Sequence, residues 1–473
     1  MGDTMGMSQK PPITDEQLAA LPPEIQTLIR AIIDHYEARI AELEAKLGKT
    51  PQNSSRPPST QHPHAKPAPK KAKRKRKRGG QPGHRKHERA LLPVEKCDDV
   101  QQHKPTACRR CGEKLRGSYP QPLRHQVWEL PEIRPSVTEH QQHRLTCRCG
   151  TITCAALPAG VPHGQSGPRL IALTSLLMAY YRQSKRRTAE FLTTLLGVPC
   201  CPALTVKMQR QMTAAVRESY EELAAQLPTQ THVSADETPH KEAQRKTWLW
   251  TFVAKSFSLF AVRNSREATA IDELLTDQFR GVVSCDRAKM YWRAGRLQWC
   301  WAHLIRDFQA LIDRGDGQTK RLGYDLRRAA GELFGHWRDY QGGTISRPAL
   351  QRRLAPVRRA VERYLLRGVQ SGNKLLMGMC QELYEHRAWL WEFVRSAGVE
   401  PTNNASERAL RQAVIWRKLS FGTQSAAGSR FVESMLTVIE TCRQQGRQVF
   451  GYLTAAIQAQ LADQPAPSLL PGP

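Results

Sequence analysis

Two short apolar runs end in an aspartate: Thr231-His-Val-Ser-Ala-Asp236-Glu237-Thr238 and Gly281-Val-Val-Ser-Cys-Asp286. Runs of this length and composition read as strands. If the two strands are neighbours, their carboxylates meet at one end of a sheet, where oxygens with few other partners can hold hard divalent cations. An aspartate at a strand end is also an ordinary turn or cap residue, so neither acid decides the matter alone. A further carboxylate, Glu407, lies in Pro401-Thr-Asn-Asn-Ala-Ser-Glu407-Arg408. There a turn opens a helix, and Glu407, Leu410, Arg411 and Val414 recur along it at helical intervals, so Glu407 can project from the helix. Arg408, Arg411, Arg417 and Lys418 come close behind. They can face phosphates beside such a site or pair with helix acids. Asn403 and Asn404 read as turn and cap residues, whose amides could also orient Glu407.

The cysteines carry a second kind of chemistry. The chain has 12, half of them between Cys97 and Cys154. Cys108-Arg-Arg-Cys111-Gly112 is a knuckle that turns two thiolates toward one metal, and Cys147-Arg-Cys149-Gly150 is its counterpart, together a four-thiolate zinc ribbon. The second half has one intervening residue where two are usual; Cys154, Cys97, His140 or His143 can substitute. This segment has little core of its own, so structural Zn2+ would supply its folding free energy. Idle thiols in a reduced protein are the alternative. Cys300 and His303 lie one helical turn apart and share a face. Two ligands alone make a poor zinc site, so the pair is expected to be structural, packed beside Trp299 and Trp301. Trp248, Trp250, Trp292 and Trp416 could stack on unpaired bases, though core packing is the plainer expectation.

These groups need elements to hold them. Residues 231–238, 248–254 and 258–262 read as three consecutive strands with a hairpin turn at Lys255-Ser256, then a helix over 265–275 and a fourth strand over 281–286. Amphipathic helical patterns over 297–311, 322–340 and 350–366 fill the interval before Glu407 and read as a helical insertion. Upstream, 170–181, 188–196 and 203–223 have helical spacing, with a turn at Gly197-Val198-Pro199; a helix-turn-helix and plain helical packing are both open. From Ile25 to Leu47 the residues Ile29, Ile33, Tyr36, Ile40, Leu43 and Leu47 alternate in steps of four and three, the pattern of a short coiled coil. If it pairs, the protein is at least a dimer.

The 473 residues carry 71 Lys and Arg against 43 Asp and Glu, a net charge of +28. Counterion release makes phosphate polymers the expected partner of such a chain. The charge is densest in Lys70, Lys71, Lys73, Arg74, Lys75, Arg76, Lys77 and Arg78, within a Pro- and Ser-rich stretch that cannot bury enough apolar area to fold alone. Such a run neutralises phosphates without reading sequence. No apolar stretch reaches the roughly 20 residues that cross a bilayer. With no signal or anchor pattern at its start and many unpaired thiols, the chain is expected in a reducing cytoplasm.

Strand, hairpin, helix and strand, with Asp at the first and fourth strands, resembles the ribonuclease H-like fold. More specifically, the chain resembles a bacterial insertion-sequence transposase of the IS66 family. The likeness runs nearly end to end: the coiled coil, Gly79-Gly-Gln-Pro-Gly-His84, the zinc-ribbon region, Asp236-Glu237-Thr238, Asp286 with Tyr291, Cys300-Trp-Ala-His303, and Asn403-Asn404-Ala-Ser-Glu407-Arg408-Ala-Leu410-Arg411 with Arg417-Lys418 and Phe421-Gly422. The resemblance implies an α+β multidomain protein whose ribonuclease H-like catalytic domain carries a large helical insertion. Its division would be 1–50 coiled coil, 51–95 basic linker, 96–158 zinc-ribbon-like DNA-binding region, 159–228 helical region, 229–300 and 401–460 catalytic domain, 301–400 insertion and 461–473 tail. It also implies that Asp236, Asp286 and Glu407 are the three metal-binding carboxylates of a DDE transposase. Cleavage of transposon ends and joining of the 3' hydroxyl to target DNA are then in-line displacements served by two Mg2+ or Mn2+ ions. Accessory proteins of the same element and a nucleoid-associated location are implied by the same likeness. A structure-selective nuclease on this fold, or a non-catalytic repressor derived from a transposase, would share most of these features.

Overall fold

The computed structural model describes residues 15–47, 49, 53 and 89–471. The basic run Lys70 to Arg78 lies outside the described residues. Helix α1 (Asp15–Ala19) precedes α2 (Pro23–Leu47), which spans the expected coiled-coil segment and leaves Leu28, Ile32, Ile33, Tyr36, Ile40 and Leu43 exposed. The cysteine-rich segment holds one small antiparallel hairpin, β1 (Arg144–Thr146) with β2 (Ile152–Cys154), and is exposed almost throughout.

Four helices come next: α3 (Pro168–Ala179), α4 (Lys185–Leu196), α5 (Pro202–Ala215) and α6 (Arg217–Gln226). Ser184 caps α4 by accepting the Arg187 amide, and Gly197, in the left-handed region, ends it. The pattern over 203–223 reads as one helix; the chain instead breaks at Val216, which is fully buried between α5 and α6.

The sheet is built from β3 (His232–Glu242), β4 (Arg245–Val253), β5 (Ser258–Arg263), β6 (Val282–Cys285) and β7 (Leu297–Trp299) in the order β5-β4-β3-β6-β7. The first three form an antiparallel meander; β6 and β7 run parallel to β3. Helix α7 (Ala268–Leu275) makes the crossover to β6 and buries Ala270, Ile271, Leu274 and Leu275. β7 is a strand the periodicity hides. Leu297, Trp299, Trp301 and Leu304 fit a helix and a strand equally well, and the helix α8 (Trp301–Arg314) begins only after the three buried residues that pair with β6.

From α8 the chain runs through α9 (Gly317–Gln341), α10 (Arg347–Val369), α11 (Lys374–Glu385) and α12 (Glu392–Arg395), a run of helices inserted between β7 and the helix that carries Glu407. Gly368 lets α10 close on α11, because a Cβ there would stand 2.3 Å from the Cys380 sulfur. The insertion returns to the sheet on Gln298. Its buried amide donates to the Trp299 and Leu390 carbonyls and accepts the Phe393 amide at 2.8 Å. Trp301 Nε1 donates to Leu390 O at 2.7 Å. Trp292, Trp299, His386 and Trp389 pack edge to face and stacked around this seam. Trp250 and Trp416 are buried core residues, unavailable for base stacking.

Helices α13 (Asn404–Ser420), α14 (Ala426–Gln444) and α15 (Val449–Leu461) complete the fold. α14 covers the open edge of β5. Glu433, Thr437 and Thr441, one turn apart, accept the Val262, Phe260 and Ser258 amides at 2.9, 3.0 and 3.1 Å. Four helical residues rise about 6 Å and two strand residues about 6.6 Å, so the two repeats nearly match. Every second amide of an edge that would otherwise recruit another strand is satisfied by side chains.

Thr437→Val leaves the buried Phe260 amide without an acceptor and is expected to lower stability by about 1–3 kcal/mol in urea unfolding; an unchanged midpoint counts against the ladder. Burial pushes the Glu433 carboxyl up to about 7 from the usual 4.5, against the pull of Arg430 and the Val262 amide. The folded state therefore binds this proton more tightly, and its contribution to stability is lost as pH rises from about 4.5 to 7. Glu433→Gln should flatten that part of the stability profile, and an identical slope in both proteins would refute the assignment.

Candidate active site

Three residues of β3 pair in parallel with β6, the last being Ser234 with Ser284. Two residues beyond that pair stand Asp236 on one strand and Asp286 on the other. Neighbouring strands lie about 4.8 Å apart, so equal register sets the two aspartates side by side at the carboxyl end of the parallel pair. Asp236 Oδ1 accepts the Glu237 amide at 2.9 Å, and Asp286 Oδ1 accepts the Ala288 amide at 2.8 Å. Burial pushes the Asp236 carboxyl well above the usual carboxylate range, and the Glu237, Asp286 and Glu407 charges push it further. Burial raises Asp286 too, opposed by the Ala288 amide and by Arg266, Arg287 and Arg306. Negative charge is concentrated here.

Glu407 arrives on the first turns of α13, whose start is fastened to β3 just ahead of Asp236. Ser406 Oγ and Ser234 Oγ are 2.9 Å apart, and Ser406 Oγ also donates to the Asn403 carbonyl at 2.9 Å. The Asn403 amide reaches the Ala235 carbonyl at 3.5 Å. Asn403, Ser406 and Ser234 are all buried. At the other end of α13, Phe421 and Gly422 turn the chain in the left-handed region so that Thr423 pairs with Lys241. A Cβ on Gly422 would meet the Lys241 carbonyl at 2.3 Å.

The helical insertion adds a second approach to Glu407. Cys300 stands at the N-cap position of α8 without a side-chain capping bond, and His303, one turn on, brings Nδ1 to 3.7 Å from Glu407 Oε1; Arg306 lies 3.9 Å from the same oxygen. Cys300, His303 and Glu407 place one ligand atom each within 4.8 Å of one another, the one group of three or more such residues that come together among the described residues. The three acids therefore gather within electrostatic reach but do not themselves close into so tight a set. His303 Nδ1 and Glu407 Oε1 are buried without a hydrogen-bond partner. Burial, then Arg306 and Arg287, push the His303 imidazole down to about 3, so it is neutral at ordinary pH. Its expected role as core packing beside Trp299 and Trp301 is thus only half the account: its ring faces the acid.

Sequence reasoning missed the groups that hold the first two acids. Glu237, 3% exposed, receives an ion pair from Arg266 at 2.6 Å and the Tyr291 hydroxyl. Arg266 stacks on Trp248, as does Lys246. Arg287, next to Asp286, pairs with Asp307 and Glu382 at 3.3 and 3.5 Å and so ties β6 to the insertion. Glu237 and Tyr291 belong to the motifs already quoted, and Arg287 stands directly after a strand-end acid, whereas Arg266, between β5 and α7, carries no sequence signal.

The candidate phosphate-facing cations divide. Arg408, Arg411 and Lys418 are exposed on α13. Arg417 is turned inward instead, donating to Thr238 Oγ1 at 3.0 Å and to the Pro239 carbonyl, so it braces α13 against β3. Of the candidate zinc ligands, Cys108 and Cys111 share one turn and Cys147 and Cys149 another, each closed by a glycine in the left-handed region, Gly112 and Gly150. Backbone amides of Cys111 and Arg110 lower the Cys108 thiol, and the Thr151 hydroxyl and amide lower Cys149 to about 7. The two turns are not joined into a four-sulfur cluster among the described residues.

Residues 163–430, more than half of the chain, match the family model described as Transposase IS66 family, and the chain belongs to that family. Residues 9–90 match a second model, described as a family of unknown function. Two proteins of Sinorhizobium fredii are similar over most of the chain. The uncharacterised protein y4hP is 24% identical over 79% of this chain and 74% of its own length, and y4qI 22% identical over 69% and 66%. The crystal structure of the Mos1 strand transfer complex matches 50% of this chain and 80% of its own at 13% identity, with a TM-score of 0.11, too low to bear on the fold. No helix among the described residues is long and apolar enough to cross a membrane.

Ser406→Ala removes the contact that fastens Glu407's helix to β3 and is expected to cost about 1 kcal/mol. Because the loss falls beside Asp236, hydrogen exchange of the α13 start should rise more than that of α14; equal protection would separate this contact from the placement of Glu407.

Proposed function

We propose that this chain is a DDE-type DNA transposase whose Asp236, Asp286 and Glu407 hold two Mg2+ or Mn2+ ions. One observation carries the reading: equal register sets Asp236 beside Asp286, and the Ser234–Ser406 contact brings Glu407 to the same sheet end across the whole helical insertion. The strand order, an antiparallel meander and then two parallel strands, supports a ribonuclease H-like catalytic domain in two parts, 229–300 and 401–460, around an insertion at 301–400. The residues suit the ions: the Asp286 and Glu407 charges raise the proton affinity of Asp236, and a buried Glu407 oxygen has no hydrogen-bond partner, both favouring a cation between them. When bound, such ions activate an attacking oxygen and stabilise a leaving one in phosphodiester cleavage and strand transfer.

The chain's own residues then bind and orient DNA. Arg408 and Arg411, exposed on the helix that carries Glu407, face phosphates near the cut; Arg287 and Arg306 fix the charge balance around the acids. The Lys70 to Arg78 arm holds transposon ends and target DNA without reading sequence. Cys108, Cys111, Cys147 and Cys149 bind a structural Zn2+ in a zinc-ribbon-like region at 96–158, a reading supported by the two matching glycine-closed turns. Helix α2 pairs with a second copy through its exposed apolar seam, giving at least a dimer. Proteins of the same element complete the assembly.

Purified protein incubated with Mg2+ and DNA bearing the ends that flank its own gene should release 3' hydroxyls and join them to a target, and Glu407→Gln and Asp236→Asn should abolish both while still binding DNA. Cleavage without joining would leave a nuclease, and end binding without cleavage by the wild type a repressor. Neutralising Lys70 to Arg78 should weaken binding to all sequences alike and reduce its dependence on salt; loss confined to one sequence would show that the arm reads bases.

A further inference from the structure

Zinc ligation at Cys300 and His303 fails on the sequence because two donors are too few. The fold supplies the third. Cys300 Sγ, an imidazole nitrogen of His303 and a Glu407 oxygen lie within 4.8 Å of one another. Zinc bonds of about 2.0–2.3 Å at tetrahedral angles set ligand atoms about 3.3–3.8 Å apart. His303 Nδ1 and Glu407 Oε1 stand 3.7 Å apart, within a few tenths of an ångström of the roughly 3.4 Å nitrogen–oxygen edge, and small rotations close the remainder. Both atoms are buried and lack any hydrogen-bond partner, which is costly unless something else fills their valence.

We infer that Cys300, His303 and Glu407 form a binding site for a borderline-soft cation, Zn2+ above all, distinct from the carboxylate site but sharing Glu407 with it. This rests on Glu407 being the third acid. A sulfur and an imidazole nitrogen select Zn2+ over Mg2+, which takes oxygen ligands. The charge balance is workable: a thiolate, whose proton passes to solvent on binding, and a carboxylate match the two charges of zinc. Arg306 is the opposing group, 3.9 Å from Glu407 Oε1, and the incoming cation displaces it; Arg287 is already matched by Asp307 and Glu382. With zinc in place, Glu407 is withdrawn from the magnesium site. The centre is thus one that zinc switches off.

The test uses the full-length protein, stripped of metal and titrated with Co2+, whose thiolate bonds absorb in the near ultraviolet. Cys300→Ser leaves the exposed cysteines intact, so the comparison isolates one sulfur. The wild type should bind one more equivalent than Cys300→Ser, and His303→Gln should bind that equivalent at least about tenfold more weakly. In parallel, micromolar Zn2+ added to the Mg2+ reaction should suppress wild-type end cleavage, and suppress it less in Cys300→Ser. Equal cobalt uptake by wild type and Cys300→Ser overturns the inference whatever the protein does to DNA. Equal zinc sensitivity of the two proteins overturns the shared use of Glu407. Should the chain cut no DNA, the transposase mechanism fails while cobalt uptake still decides the site.

Discussion

Parallel strands cannot be joined by a tight turn, so His232–Ser234 and Val282–Ser284 meet only because the rest of the meander and a crossover helix occupy residues 235–281 between them. That pairing governs the rest. A slip of one residue would turn Asp286 to the other face of its strand and pair it with nothing. The meander fixes β3 from its other side through nine cross-strand pairs with β4, so the central strand has no freedom to slip. The buried Ser234 on β3 then gives α13 a polar foothold at one position only, and the third acid is placed by it.

Much of this was legible in the chain. The strands before Glu407 announced themselves by β-branched and aromatic runs, and the acids by their place at the ends of them. What periodicity could not show was anything fixed by a three-residue element or by a contact across the insertion. β7 is too short to establish a period, and Leu297 to Leu304 alternates in a way both structures accept. Val216 breaks a helix without glycine or proline, so nothing in the local sequence marks it. The partners of Arg417 and His303 were hidden for one reason: helical spacing tells which face a residue occupies but not which part of the molecule that face meets.

The basic residues around the acids obey a division of labour visible in their partners. Arg266, Arg287 and Arg417 are each committed to protein groups and keep the strands, the insertion and α13 in fixed relation. Arg408 and Arg411 stay exposed on the outside of the same region. Cations that are partly buried and paired build the site, and those left in solvent are free to meet a polyanion.

The ladder between α14 and β5 works like a vernier. Each step of four helical residues falls short of two strand residues by roughly half an ångström or more, so the mismatch accumulates: the two threonines serve neighbouring rungs, and Glu433 beyond them has a longer side chain. One turn on from Thr441 stands Gln445, whose arm, as long as that of Glu433, donates to the Ser256 carbonyl at 2.8 Å, beyond the end of β5. The helix can therefore tolerate substitution at many positions but not insertion or deletion between Glu433 and Gln445. Adding or removing one residue would rotate every later rung by about 100° away from the strand, making this stretch one where evolution must conserve length more strictly than identity.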